Sequence, residues 1–246
     1  MNRGAREFEV MFYDTGVDSK ATVRSLYNYM QAAADEHSRS LGTSLNDFAD
    51  KNLTWVYSRY YTEIFALPRI YDRIVCETWR SGYTGSFVKR EFNISGSNGE
   101  KLVAAVASLA LIDMKKRKPV EIPDYLKEQL EPAGGEAIAY NFPPIEKIEN
   151  YDYIYDLKVR HEDIDINRHM NNASYAQILF ESIIDRFENS YELKSMDINF
   201  KGEAFAGDML ECMVKKTGSG IFLHKIINRD DKRVILNAKS LWKESG

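Results

Sequence analysis

The sequence repeats itself, and the repeat limits what it can fold into. Residues 29–35 (YMQAAAD) resemble residues 175–181 (YAQILFE), and residues 71–76 (YDRIVC) resemble 207–212 (GDMLEC). Residues 87–89 match 222–224 and residues 108–110 match 240–242, in the same order. The separation falls from 146 residues at the first pair to 132 at the last, as loop trimming between duplicated elements would produce. A duplicated chain of 246 residues builds two like domains, each burying its own apolar pattern.

Each copy reads as a short extended segment, one long amphipathic helix and then several strands. Leu26, Tyr29, Met30 and Ala33 recur at helical spacing and predict a helix over 22–39; Tyr175, Ile178, Leu179 and Ile183 do the same in the second copy. The strands are expected over 54–65, 73–79, 86–95 and 102–113, then over 194–201, 209–217, 221–228 and 234–243. Residues 96–99 (GSNG) and Asp230-Asp231 have turn composition. Residues 132–144, with Gly134, Gly135, Pro143 and Pro144, read as a linker, so the expected domains are 1–133 and 151–246, joined by 134–150. One helix against a mostly antiparallel sheet, twice over, is an α+β architecture.

Composition narrows the function classes. Apolar residues make up 44% and charged residues 28%, which is ordinary globular usage. A formal charge of −4 argues against nucleic acid as the main partner. The longest apolar run, residues 102–112, is interrupted by Ser108 and is too short to cross a bilayer. No charged segment followed by an apolar stretch opens the chain, so the expected location is cytoplasmic. Cys76 and Cys212 occupy matching positions of the two copies and read as small core residues, not as a disulfide framework or a zinc site.

The densest polar cluster is residues 161–175 (HEDIDINRHMNNASY). Asp165, Asn167 and His169 alternate with Ile166 and Arg168, and in an extended chain that spacing points the three side chains the same way. Asn171 or Asn172 then supplies the cap of the second helix. An acid, an amide and an imidazole are thus presented beside the positive end of a helix dipole, where a carbonyl gaining negative charge would be stabilised. His161, Asp163, Asp165 and His169 also offer metal-ligand atoms. The two histidines lie eight apart with no helix joining them, unlike the spacing of zinc-binding helices, and no cofactor is expected.

The run DINRHMNNASY resembles the helix-entry motif of hotdog-fold thioesterases, and specifically that of the double-hotdog acyl-ACP thioesterases of plants and bacteria. Residues 52–59 (NLTWVYSR), 117–123 (RKPVEIP) and 197–203 (DINFKGE) sit where that family has similar segments, so the likeness covers nearly the whole chain. It implies two tandem hotdog domains that release free fatty acid from fatty acyl-ACP. It also assigns Asp165, Asn167, His169 and Glu203 to the active site. Expected substrate contacts are Tyr29, Ala32, Ala33, Trp55, Asn171 and Asn172. The plant enzymes carry a Cys directly after the active-site Glu, and here that position is Ala204. With no nucleophile-elbow motif either, the expected chemistry is direct attack by water, Glu203 serving as base and exchanging roles with Asp165 as the alternative.

Capping and turn chemistry alone would also place Asp and Asn at a helix entry. The repeat provides a control. A shift of 146 sets Ser19, Ala21 and Val23 opposite Asp165, Asn167 and His169, and a shift of 136 sets Leu67 opposite Glu203. The first copy builds the same elements without those groups. Its helix carries Ala32, Ala33 and Ala34 where the match places Ile178, Leu179 and Phe180, which suggests room for an acyl chain on the first copy. Residues 1–133 hold 18 basic and 18 acidic side chains, so the whole excess of negative charge lies beyond them. Lys115, Lys116, Arg117 and Lys118, with Arg69, Arg73, Arg80, Lys89 and Arg90, offer a basic surface for an acidic carrier protein. Two rivals are an acyl-CoA thioesterase and a non-catalytic acyl-binding module; both a monomer and a homodimer suit a pseudo-dimeric chain.

Overall fold

The computed structural model describes residues 3–187 and 191–244; the outermost residues of the expected domains, 1–2 and 245–246, lie outside them. The chain divides into two compact units: Met1–Ala21 with Asn28–Asn141, and Phe142–Gly246 with Thr22–Tyr27. Elements run in the order β1 (Arg3–Glu9), α1 (Val23–Ser40), α2 (Leu45–Phe48), β2 (Leu53–Ile64), β3 (Arg73–Thr84), β4 (Phe87–Gly96), β5 (Lys101–Asp113), β6 (Lys118–Pro119) and α3 (Asp124–Lys127). Then come β7 (Tyr153–Lys158), α4 (Asn172–Phe187), β8 (Tyr191–Phe200), β9 (Met209–Gly218), β10 (Ile221–Asn228) and β11 (Val234–Glu244). Both long helices and all eight expected strands are present, with ends shifted by a few residues.

In the first unit the strands lie in the order β1-β3-β4-β5-β2, antiparallel throughout. Met30, Ala33 and His37 form its buried stripe of α1, with Tyr60 of β2 donating to the Met30 sulfur at 3.4 Å. The apolar run of β5 is central, and Val103 to Ala107 are buried on both faces. The segment expected to link the copies is anchored: Ala133 N–H donates to Arg80 O, Trp79 Nε1 to Gly135 O, and Tyr140 stacks on Tyr61. Gly99, at φ +80°, turns the chain between β4 and β5.

The second unit has the same plan, β7-β9-β10-β11-β8, with α4 carrying buried Tyr175, Ile178, Leu179 and Ile183. No described helix is long and apolar enough to cross a membrane.

The correspondence between the units can be read bond by bond. Ala21 N–H donates to Pro68 O as Met170 N–H does to Ala204 O; Val10 N–H donates to Asp72 O as Val159 N–H does to Asp208 O. Thr15 bridges Ala21 as Ile164 bridges Met170, and both helices begin two residues later. These pairs fix a separation of 149 in the loop and helix, not 146, while Leu67 does stand opposite Glu203. A three-residue slip keeps a helical residue on nearly the same face, which is how the sequence match misled. Properly aligned, Gly16, Asp18, Lys20 and Leu67 oppose Asp165, Asn167, His169 and Glu203. Ala33 opposes Ser182, also small, so the contrast in side-chain size between the helices is narrower than the match implied.

Candidate active site

The segment 165–169 is a tight turn and not the extended strand that its alternation suggested. Asp165 N–H donates to His169 O at 3.0 Å, and Arg168 N–H donates to Asp165 O at 3.0 Å. The reason is the Asp165 carboxylate, whose Oδ1 accepts Asn167 N–H at 2.8 Å and closes an Asx turn that competes with extended structure. Arg168 takes the left-handed conformation, φ +67°. The turn brings Asp165 and His169 together, with Oδ1 and Nδ1 3.9 Å apart and both side chains largely buried. Asn167 stands exposed at the tip.

Directly after the turn the chain enters α4. Asn171 is the cap: its Oδ1 accepts Ala173 N–H at 2.8 Å and its carbonyl accepts Ser174 N–H at 3.0 Å. Asn172 is the first helical residue, half-buried. Ala204, fully buried, is held at both of its backbone groups. Its carbonyl accepts Met170 N–H at 2.8 Å, and its N–H donates to the Tyr175 hydroxyl at 3.1 Å. Half-buried Glu203 directly precedes this clamped residue, so its backbone is held next to Met170, between the Asp165–His169 turn and the positive end of the α4 dipole. The first copy has Leu26 in place of Tyr175, Pro68 in place of Ala204 and Leu67 in place of Glu203, so carboxylate and clamp are absent together. The clamp role of Tyr175 was not legible in the sequence, where a tyrosine on an apolar helix face reads as core.

Asp163, also missed, pins the loop from behind. Its carboxylate accepts Arg160 N–H at 3.1 Å, Arg160 Nε at 3.2 Å and Arg24 Nη1 at 3.2 Å, while its carbonyl accepts Asn171 N–H. Burial pushes the Asp163 carboxyl up, but the bonds from Arg160 and the charge of Arg24 outweigh it and hold it below the usual carboxylate range. Among the described residues, no three His, Cys, Asp or Glu groups converge as metal ligands do.

The cysteines are buried in corresponding strands, and desolvation pushes both thiols up to about 12. Neither can present a thiolate at neutral pH. His37 and His224 are buried as well, the first beside Arg90 Nη1 at 3.2 Å and the second between Ser182 and Ser240. The basic surface is smaller than expected. Arg80 and Arg90 face each other across β3 and β4 and are buried; Arg80 donates to Gln129 O and Thr43, and Arg90 to Thr78 and Ser38. Lys89 pairs with Glu136. Arg69, Arg73 and the run Lys115 to Lys118 are exposed. Of the expected acyl-side residues, Tyr29 and Ala33 are buried in α1, Ala32 is half-buried, and Trp55 lies 6.0 Å from Phe48.

Residues 2–130 match the acyl-ACP thioesterase N-terminal domain and residues 146–244 match the acyl-ACP thioesterase C-terminal domain. The chain is 24% identical to a chloroplastic dodecanoyl-[acyl-carrier-protein] hydrolase of Umbellularia californica, over 97% of this chain and 67% of that protein. It is also 24% identical to the chloroplastic oleoyl-acyl carrier protein thioesterase 1 of Arabidopsis thaliana, over 97% of this chain and 75% of the relative. Among solved structures, an acyl-ACP thioesterase from Bacteroides thetaiotaomicron superposes with a TM-score of 0.88 at 20% identity, covering 98% of each chain. The 12:0-ACP thioesterase of Umbellularia californica gives 0.87 at 22%, covering all of this chain and 98% of the other. These superpositions establish the double-hotdog fold, and with both domain profiles matched the chain belongs to the acyl-ACP thioesterase family, hydrolases acting on thioester bonds.

Proposed function

We propose that this chain cleaves fatty acyl-ACP to free fatty acid and holo-ACP, with water attacking the thioester carbonyl under general-base assistance from Glu203. The observation that supports this reading is the double grip on Ala204, which holds the backbone of Glu203 next to the Asp165–His169 turn and the entry to α4. Asn167 holds the water in line, and His169 polarises the carbonyl or protonates the departing thiolate while Asp165 orients it. A thiol leaves with a pKa of about 8.5, so acid assistance is a small part of the task. A cysteine or serine nucleophile finds no support among the described residues: both cysteines are buried with raised pKa values, and no basic group bonds the Ser174 hydroxyl. The chemistry is assigned to the domain 151–246. The acyl-side residues Tyr29, Ala32, Ala33 and Trp55 and the carrier-docking residues Arg69, Arg73 and Lys115 to Lys118 are assigned to 1–133, with 134–150 linking the two.

Release of free fatty acid from acyl-ACPs of graded chain length, run beside the matching acyl-CoAs, tests the substrate class. The expected result is faster turnover of the carrier esters, with Ala33→Phe moving the preference to shorter chains. Preference for the CoA esters would make the chain an acyl-CoA thioesterase.

A further inference from the structure

Four large apolar side chains of the first unit stand in solvent on two adjoining loops. Phe12 is 68% exposed, Tyr13 70%, Tyr71 65%, and Val17 has no cover at all. Single exposed apolar residues are ordinary, but a group of them on laced loops is not. Tyr71 N–H donates to Val10 O at 2.7 Å, Ile70 N–H to Ser19 O at 2.9 Å and Ala21 N–H to Pro68 O at 2.8 Å. Phe12 and Tyr13 meet edge to face, with ring centroids 5.3 Å apart. The second unit shows that the fold does not require this patch. In the register of 149, His161 stands for Phe12 and Glu162 for Tyr13; only Val17 keeps an apolar counterpart, Ile166. Tyr71 is matched by Gly207, whose N–H donates to Val159 O as that of Tyr71 does to Val10 O. Both residues are left-handed, at φ +93° for Gly207 and +69° for Tyr71. Glycine takes that conformation freely, whereas a bulky aromatic is strained in it, and an exposed ring gains little burial in return. A tyrosine kept there serves something outside its own fold.

Size and charge say what covers the patch. Four side chains fall short of the roughly 800 Å² per partner that a stable dimer buries. Side chains that stand so far out of the surface suit a deformable layer better than a rigid partner, and tyrosine, apolar in its ring and wet at its hydroxyl, suits the boundary between headgroups and acyl chains. On the second of the two loops and just after it, Arg69 and Arg73 are exposed and in no ion pair among the described residues; the Asp72 carboxylate accepts the Arg69 backbone N–H instead. Free guanidiniums beside an aromatic patch match anionic lipid phosphates. We propose that this face of the first unit docks on an anionic lipid surface, with Phe12, Tyr13, Val17 and Tyr71 entering the interfacial layer and Arg69 and Arg73 meeting the headgroups. The chain then lies on the bilayer and does not span it. Both arginines are also assigned above to the carrier, so the aromatic side chains are what separate the two partners.

Co-sedimentation with vesicles, run without substrate, tests this independently of the reaction. Vesicles of phosphatidylglycerol and phosphatidylcholine in equal parts are compared with vesicles of phosphatidylcholine alone. The double variant Phe12→His, Tyr71→Gly installs the residues that the second unit carries, and thermal melting certifies its fold. Tyr71→Gly alone should melt no lower than the wild type, since it relieves the left-handed position. The wild type is expected to bind the anionic vesicles more tightly than the neutral ones. The double variant should bind them at least about tenfold more weakly, with turnover in vesicle-free solution unchanged. No binding by the wild type, or equal binding by the folded double variant, would overturn the proposal. So would a wild-type dimer that the double variant turns into a monomer without any vesicle binding, which would make the face an interface between copies. A rise in KM for acyl-ACP in the double variant, with vesicle binding intact, would make the patch part of the carrier surface and overturn it too.

Discussion

Asp165 shows what a residue type reveals and what it hides. An acid, an amide and an imidazole within five positions were visible as a candidate cluster, and the structure keeps Asp165 beside His169. Their directions were not visible, because the carboxylate bonds Asn167 N–H and folds the segment into a turn. Buried groups are harder still to read: nothing in the sequence separates Arg90, enclosed by Ser38 and Thr78, from the exposed Lys115. His224 gives a prediction at this scale. Burial pushes its imidazole down to about 3, whereas in an unfolded chain it titrates near 6.5. Between those values the unfolded state binds a proton that the native state does not. This contribution to stability is therefore complete above about pH 6.5 and is lost progressively as pH falls, by up to about 1.4 kcal/mol per pH unit. Urea unfolding at pH 7, 6 and 5 should show that decline, and His224→Asn should flatten it.

At the level of elements, almost everything regular was legible, since helix and strand periods are local properties. Correspondence between the copies was less so. The YMQAAAD and YAQILFE runs match best three residues out of register, and only the loop hydrogen bonds reveal the slip. In the register of 149 the copies differ less at the loop and more at the clamp. Asp18 and Lys20 put polar groups at two of the four control positions, where they pair with each other at 3.5 Å. In return, the first copy lacks the whole Tyr175–Ala204–Glu203 arrangement. The entry to α4 is the element on which the site depends. Asn171→Ala removes the cap bond to Ala173 and should cost about 1 kcal/mol of stability, read from urea denaturation, with Asn171→Asp restoring most of it.

At the scale of the whole molecule, duplication gives two copies of one fold, and on the proposed reading the second carries the chemistry. Residues 1–133 are electrically balanced, and their exposed Lys115 to Lys118 turn is braced by Asp113, whose carboxylate accepts the N–H groups of Lys115 and Lys116. If an acidic carrier is steered there, Lys116→Glu with Lys118→Glu raises KM for acyl-ACP several-fold at low ionic strength. The effect should fade in high salt, where the Debye length falls to about 3 Å. The account stands or falls on Glu203. Turnover of acyl-ACP by Glu203→Gln, measured beside the wild type and Asp165→Asn, tests it most directly. The account predicts that Glu203→Gln folds normally and loses at least about a hundredfold in kcat, the usual scale of a general base. Near-normal turnover in Glu203→Gln, with Asp165→Asn inactive, would contradict it.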